Sequence, residues 1–190
     1  MNVLDRLLVK LYRRARSLDD KARYDQYRRI HDVHPTFKFN GPGILLSDEG
    51  RVSLGAHSYV GMHSLLLAKP GADVIVGEHT SISHFFVAYT KNVSALQDMS
   101  MPEEEWDTRL GSVRIGSYCW IGFRVLVVEG VTIGDNVVVG AHSVVTKDLP
   151  ANGIYAGVPA KLIKEKQPVR APRVSGLVQP ATVTQGKNAP

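Results

Sequence analysis

The chain has a single cysteine, Cys119, among its 190 residues, so no disulfide can form within it. A lone thiol fits a reducing compartment, and the cytoplasm is the expected location. No apolar run approaches the roughly 20 residues needed to cross a bilayer. Residues 1–16 lack the long apolar block and small-residue cleavage site of a secretory signal. Histidine is absent from residue 85 to residue 141. That gap removes the usual neutral-pH base from the middle of the chain.

Charge is present but uneven. The formal net charge is +5. Arg6, Lys10, Arg13, Arg14, Arg16, Lys21, Arg23, Arg28 and Arg29 all fall within the first 30 residues. Val3, Leu4, Leu7, Leu8 and Leu11 interleave with them at helical spacing, which predicts an amphipathic helix over residues 2–15. A second helix is expected from Ser17 or Leu18 to His31, with Asp19 and Asp20 favouring its N-terminus. These helices can cap an open sheet end, or residues 1–30 can attach peripherally to an anionic membrane. No recognisable nucleic-acid motif accompanies the charge, so no nucleic-acid partner is expected.

The strongest pattern is a small apolar residue at every sixth position. Ile115, Ile121, Val127, Ile133, Val139 and Val145 keep this period without a slip. It matches neither a helix, at about 3.6, nor a lone strand, at about 2. It fits a coil with flat six-residue faces, three to a turn, each pointing one side chain inward. Upstream the same register passes through Leu54, Val60 and Leu66, and then, after a break at Lys69–Pro70–Gly71, through Val76, Ile82 and Ala88. The predicted stacks are Leu54/Val76/Ile115/Ile133, Val60/Ile82/Ile121/Val139 and Leu66/Ala88/Val127/Val145. Residues 92–112 read as a loop thrown out from the coil. The expected organisation is N-terminal helices and lead-in over 1–40, the coil over 41–166, and a flexible tail over 167–190, where four prolines and many polar residues show no period.

The runs Ile115–Gly116, Trp120–Ile121–Gly122, Gly130–Val131–Thr132–Ile133–Gly134–Asp135–Asn136, Gly140–Ala141–His142–Ser143–Val144–Val145–Thr146–Lys147–Asp148–Leu149–Pro150 and Ala156–Gly157–Val158–Pro159–Ala160–Lys161 carry a family likeness. The chain resembles the hexapeptide-repeat acyltransferases, in the maltose, galactoside and polysaccharide O-acetyltransferase branch. The likeness covers roughly residues 40 to 166. It implies a mainly β fold, a left-handed parallel β-helix, assembled as a homotrimer with active sites between subunits. It further implies acetyl-CoA as cosubstrate and a sugar or glycan hydroxyl as acceptor.

Acetyl transfer needs a base for the acceptor hydroxyl, a donor for the oxyanion, and a groove for pantetheine and phosphates. The resemblance puts the base in the loop leaving the second full coil, where this chain has Val93. The remaining candidates are His84 and His63. His63 falls where the family places an acceptor-binding asparagine. His57, His63, His79 and His142 share the fourth place of their hexads, where polar solvated residues are common, whereas His84 occupies a third place. His84 is therefore the expected base and His63 the acceptor contact. Trp120, Ala141, Thr146, Lys147, Lys161 and Lys164 match the family's CoA-contacting positions. For Trp120 the competing reading is packing between subunits, and for the lysines a solvated cluster. Cys119 reads as a packed residue. His79 and His84 form a His-x4-His pair of the kind that could enter a zinc site, but zinc needs three convergent protein ligands, and no metal is expected.

The leading expectation is an acetyl-CoA-dependent O-acetyltransferase of surface polysaccharide or lipopolysaccharide biosynthesis. A sugar N-acetyltransferase is its nearest variant. A noncatalytic trimeric scaffold that keeps a CoA groove is the alternative from another class.

Overall fold

In a computed structural model, residues 2–47 and 49–166 are described. The expected tail over 167–190 lies outside them. The chain opens with one helix, α1, over Val3–Ile30. Asn2 caps it: its side chain accepts from the Asp5 N–H at 2.8 Å, and the Asp5 carboxylate accepts from the Asn2 N–H at 3.2 Å. The break expected near Ser17 does not occur. Asp19 and Asp20 do not begin a second helix, because they pair with Arg23 four and three residues on, inside an unbroken helix.

Beyond the helix the chain coils through three flat parallel faces. The first face stacks Asp32–Val33, Val52–Leu54, Val74–Val76, Val113–Ile115 and Thr132–Ile133. The second stacks Lys38–Asn40, Tyr59–Gly61, Ser81–Ile82, Trp120–Ile121, Val138–Val139 and Gly153–Ala156. The third stacks Leu45–Leu46, Leu65–Leu67, Val87–Tyr89, Leu126–Val127 and Val144–Val145. Leu54 pairs with Val76, Val76 with Ile115 and Ile115 with Ile133. Val60, Ile82, Ile121 and Val139 follow one another in the same way, as do Leu66, Ala88, Val127 and Val145. All twelve side chains are buried. The hexad register is thus the register of the fold.

The coil starts earlier than the repeat indicates. Val33 pairs with Leu54 and Phe39 with Val60, so residues assigned to a lead-in already form most of a turn. Phe37 fills the end of the core at this turn, together with Tyr27 from α1. The last quarter of the helix therefore closes the end of the coil. The Tyr24 hydroxyl donates to the Gly41 carbonyl at 2.7 Å and accepts from the Ile44 N–H at 3.2 Å. Asp20 accepts from the Gly43 N–H at 3.1 Å.

Residues 92–112 do leave the coil, but not as irregular loop alone. Lys91–Val93 pairs antiparallel with Thr108–Leu110 in a short ribbon that departs from the corner between the third and first faces. At the far end Lys161–Glu165 turns back antiparallel on Gly153–Ala156 and closes the second face. Among the described residues no helix is long and apolar enough to cross a membrane.

Candidate active site

Two of the three corners of the regular turns carry a non-glycine residue with positive φ, and the sequence supplies it with histidine, asparagine or an exposed larger side chain. At the corner between the first and second faces these are His57, His79, Tyr118, Asn136 and Asn152. At the corner between the second and third faces they are His63, Phe85, Arg124 and His142. Asparagine and histidine tolerate this region better than most residues. The fourth-place histidines are thus explained first by the turn and not by chemistry.

The two corners differ in what they can do. Along the first, rings stack: His57 on His79 with centroids 4.9 Å apart, and His79 on Tyr118 at 5.2 Å. The Tyr118 hydroxyl donates to Glu78, which raises its pKa. His79 belongs to this ladder and His84 to the other corner, so the His-x4-His pair does not converge within one chain. Among the described residues no group of three or more potential metal ligands comes together.

At the second corner His63 and His84 occupy adjacent turns, each against the other's chain neighbour. His63 lies 5.3 Å from the Phe85 ring, and His84 immediately precedes Phe85. The Met62 backbone N–H, next to His63, donates to His84 Nδ1 at 3.1 Å. Gly61 makes room for this arrangement, since a Cβ there would stand 2.3 Å from His84 Nδ1. The same device recurs at the other corner. The Ser117 hydroxyl accepts from the Glu78 N–H at 3.2 Å, and the Asp135 carboxylate accepts from the Ser117 N–H at 2.7 Å. The unusual third-place position of His84 is therefore that of a corner clamp. A backbone N–H can only donate, so Nδ1 accepts and the neutral ring carries its proton on Nε2. In that state His84 has no free lone pair with which to take a proton. The expectation that His84 is the base conflicts with this bond. His63 enters no such bond with the backbone above it, and its ring lies against Gly43.

Arg124 extends the corner, with its guanidinium 5.5 Å from the Phe85 ring and 5.6 Å from the Phe123 ring. Phe123 in turn meets His142 edge-on at 5.4 Å. Sequence reasoning left out Phe85, Phe123 and Arg124. Their signal was positional, since each sits at or beside a corner place otherwise given to small or polar residues. Val93, in the ribbon at another corner, offers no group that could move a proton.

The six positions matched to CoA contacts do not form one cluster in a single chain. Trp120 projects from the second face with 61% of its surface exposed, and Ala141 is exposed at the corner beside His142. Lys161 and Lys164 lie on the closing strand of the second face. Thr146 and Lys147 follow the last strand of the third face, at the corner from which the ribbon also leaves. The set is therefore spread over the second face and two corners of the coil. Cys119 is buried, and its thiol hydrogen-bonds the Gly134 carbonyl at 3.1 Å. Burial pushes its pKa up, which suits a packed residue and not a nucleophile.

This architecture, a three-faced parallel coil with a six-residue repeat, defines a hexapeptide-repeat protein. The bacterial transferase hexapeptide (six repeats) family matches residues 112–147. The chain is similar to the galactoside O-acetyltransferase of Escherichia coli strain K12, 55% identical over 28% of this chain and 26% of that protein. It is 33% identical to the putative lipopolysaccharide biosynthesis O-acetyl transferase WbbJ of the same strain, over 64% of this chain and 60% of that one. The chain thus spans less than two thirds of the length of these curated relatives. Its fold is similar to that of a hexapeptide-repeat acetyltransferase from Vibrio cholerae complexed with acetyl coenzyme A. That likeness has a TM-score of 0.65 and 28% identity and covers 80% of both chains.

Proposed function

We propose that this chain, as a homotrimer, transfers an acetyl group from acetyl-CoA to a sugar hydroxyl in surface polysaccharide or lipopolysaccharide biosynthesis. The observation that carries the reading is the division of the CoA-matching residues. Trp120 lies on the second face and Ala141 at the corner between the second and third faces, whereas Thr146 and Lys147 lie at the corner between the third and first faces. Two chains side by side can bring unlike corners into one groove, which a single coil cannot. The likeness to a fold complexed with acetyl coenzyme A supports the donor, and the relatives' O-acetyl transfer supports the acceptor class.

In this reading His63 is the base. It takes the proton of the acceptor hydroxyl as that oxygen attacks the thioester carbonyl. The tetrahedral intermediate then collapses, the C–S bond breaks, and the departing CoA thiolate takes the proton back from His63. His84 is a positioning residue that fixes the Met62–His63 backbone through Nδ1. Lys147, Lys161 and Lys164 offer cations to the CoA phosphates. The location that goes with this chemistry is the cytoplasm, where acetyl-CoA is available.

Val93 favours a second reading, a noncatalytic trimeric scaffold that retains the CoA groove. Incubation with acetyl-CoA and deacetylated glycan separates the two. Transfer releases free thiol and adds an acetyl group to the glycan by mass spectrometry. CoA binding with neither product supports the scaffold.

Two further results are expected. Light scattering at micromolar concentration should give three times the mass of one chain, which is 20.9 kDa. A monomer would remove the proposed groove. Lys147→Glu with Lys164→Glu should weaken CoA binding by on the order of tenfold or more, and wild-type affinity should fall with added salt. A calorimetric affinity insensitive to both would place the CoA site elsewhere.

A further inference from the structure

The first two thirds of α1 bury nothing. At about 3.6 residues per turn, Leu4, Leu7, Leu8, Leu11, Ala15 and Leu18 fall on one side of the helix, and Asp20, Tyr24 and Tyr27 fall on the opposite side. It is this second side that meets the coil, through the Asp20 and Tyr24 hydrogen bonds and buried Tyr27. A cavity of about 900 Å³ separates the helix from the first turn and is lined by Arg13, Arg16, Asp20, Tyr24, Arg28 and Phe39. The apolar stripe therefore points away from the body that holds the helix. Leu4, Leu7, Leu11 and Leu18 are each at least 58% exposed. No rearrangement that keeps Tyr24 and Tyr27 in place can turn the stripe inward.

Charge decides what covers it. Residues 2–18 carry Arg6, Lys10, Arg13, Arg14 and Arg16 against a single acid, Asp5, and Asp5 is engaged in the capping box. Lys10 and Arg14 flank the stripe directly, whereas Arg6 and Arg13 lie round on the side of Asp20 and Tyr24. A second copy of the helix laid on the stripe would bring cations against cations, with no free acid to pair them. An anionic lipid surface accepts the leucines and the flanking cations together. The described helix is not apolar enough to cross a bilayer.

We propose that the stripe from Leu4 to Leu18 is a docking surface for an anionic phospholipid membrane, with the helix lying in the interface and the coil held against it. The coil then works beside the membrane surface. This does not depend on whether the coil transfers acyl groups.

Flotation of the full chain with phosphatidylcholine vesicles, with and without phosphatidylglycerol, tests the proposal. The wild type should float with the phosphatidylglycerol vesicles, less so at high salt, and poorly with phosphatidylcholine alone. Leu7→Asp with Leu11→Asp should abolish flotation while leaving the coil's thermal transition in place, because neither side chain touches the body. Lys10→Gln with Arg14→Gln keeps the stripe intact and should weaken binding by about 25-fold, since each cation near an anionic surface contributes about fivefold. A wild type that stays in solution overturns the proposal, as does flotation that both variants leave unchanged. If the leucine variant lowers the assembly mass by light scattering and no form floats, the stripe is a contact between copies and the membrane reading is wrong.

Discussion

His63→Asn should lower turnover by on the order of 100-fold or more, the scale of a lost general base, with CoA affinity and assembly unchanged. Asparagine accepts positive φ well, so the corner at His63, where φ is 55°, survives the change. What is lost is the lone pair that takes the proton. The matching experiment is His84→Asn. Its side-chain oxygen can accept from the Met62 N–H, as the Asp135 carboxylate does from Ser117. Turnover should stay within a few-fold of wild type. His84→Ala leaves that N–H without its partner and should lose more, both in stability and in rate. If His84→Asn is as damaging as His63→Asn, the imidazole of His84 itself takes part and the assignment must be reversed. If neither matters, the base lies off this corner and the scaffold reading moves ahead.

The fold was legible because the coil writes its geometry into the sequence at every sixth residue. The inward place that recurs every sixth residue holds an aliphatic side chain in every regular turn, so Ile115 to Val145 announce both the period and the direction. The first turn escaped this reading. Phe37 and Phe39 replace the small residues there, and Gly41–Pro42–Gly43 shifts the spacing before Leu46. The irregularity has a cause: the end of the core is closed by Tyr24 and Tyr27, so larger rings fill space that another turn would otherwise occupy. The single helix was misread for a different reason. Asp19 and Asp20 suit a helix N-terminus by charge, and only the tertiary pairing of Asp20 with the Gly43 N–H shows why they sit mid-helix.

The site was less legible, because the corner requirement and catalysis ask for the same residue types. Histidine at His57, His79 and His142 satisfies the turn just as His63 does. The clue to His84 was available: it shares its hexad place with Ser117 and Asp135, both short acceptors. Reading that place as a clamp, rather than as an anomaly, would have assigned its Nδ1 from the sequence. The separation of Ala141 from Lys147 could not be read without knowing which face each hexad occupies. The hexad register supplies that once three faces are accepted.

Ile121→Ala should cost about 2–5 kcal/mol, the range for truncating a large buried aliphatic side chain. Ile121 has no exposed surface and is stacked between Ile82 and Val139, with regular coil on both sides. Neighbouring turns are held by their own backbone ladders, so the cavity left behind can collapse only partly. Each turn of a solenoid also depends on its neighbours, so the loss weakens the coupling between the early and late turns. In urea the midpoint should fall clearly. The comparison must be made at one protomer concentration, because assembly adds to apparent stability. The control is the adjacent residue. Trp120 points outward from the same strand, and Trp120→Ala should leave the midpoint of the isolated coil within about 0.5 kcal/mol of wild type while weakening CoA binding. Successive side chains of a strand point to opposite faces, so one step along it separates buried Ile121 from exposed Trp120. Were Trp120→Ala to destabilise the chain as much as Ile121→Ala under conditions where it is monomeric, the inward and outward assignment of the second face would be wrong, and with it the placing of the CoA groove.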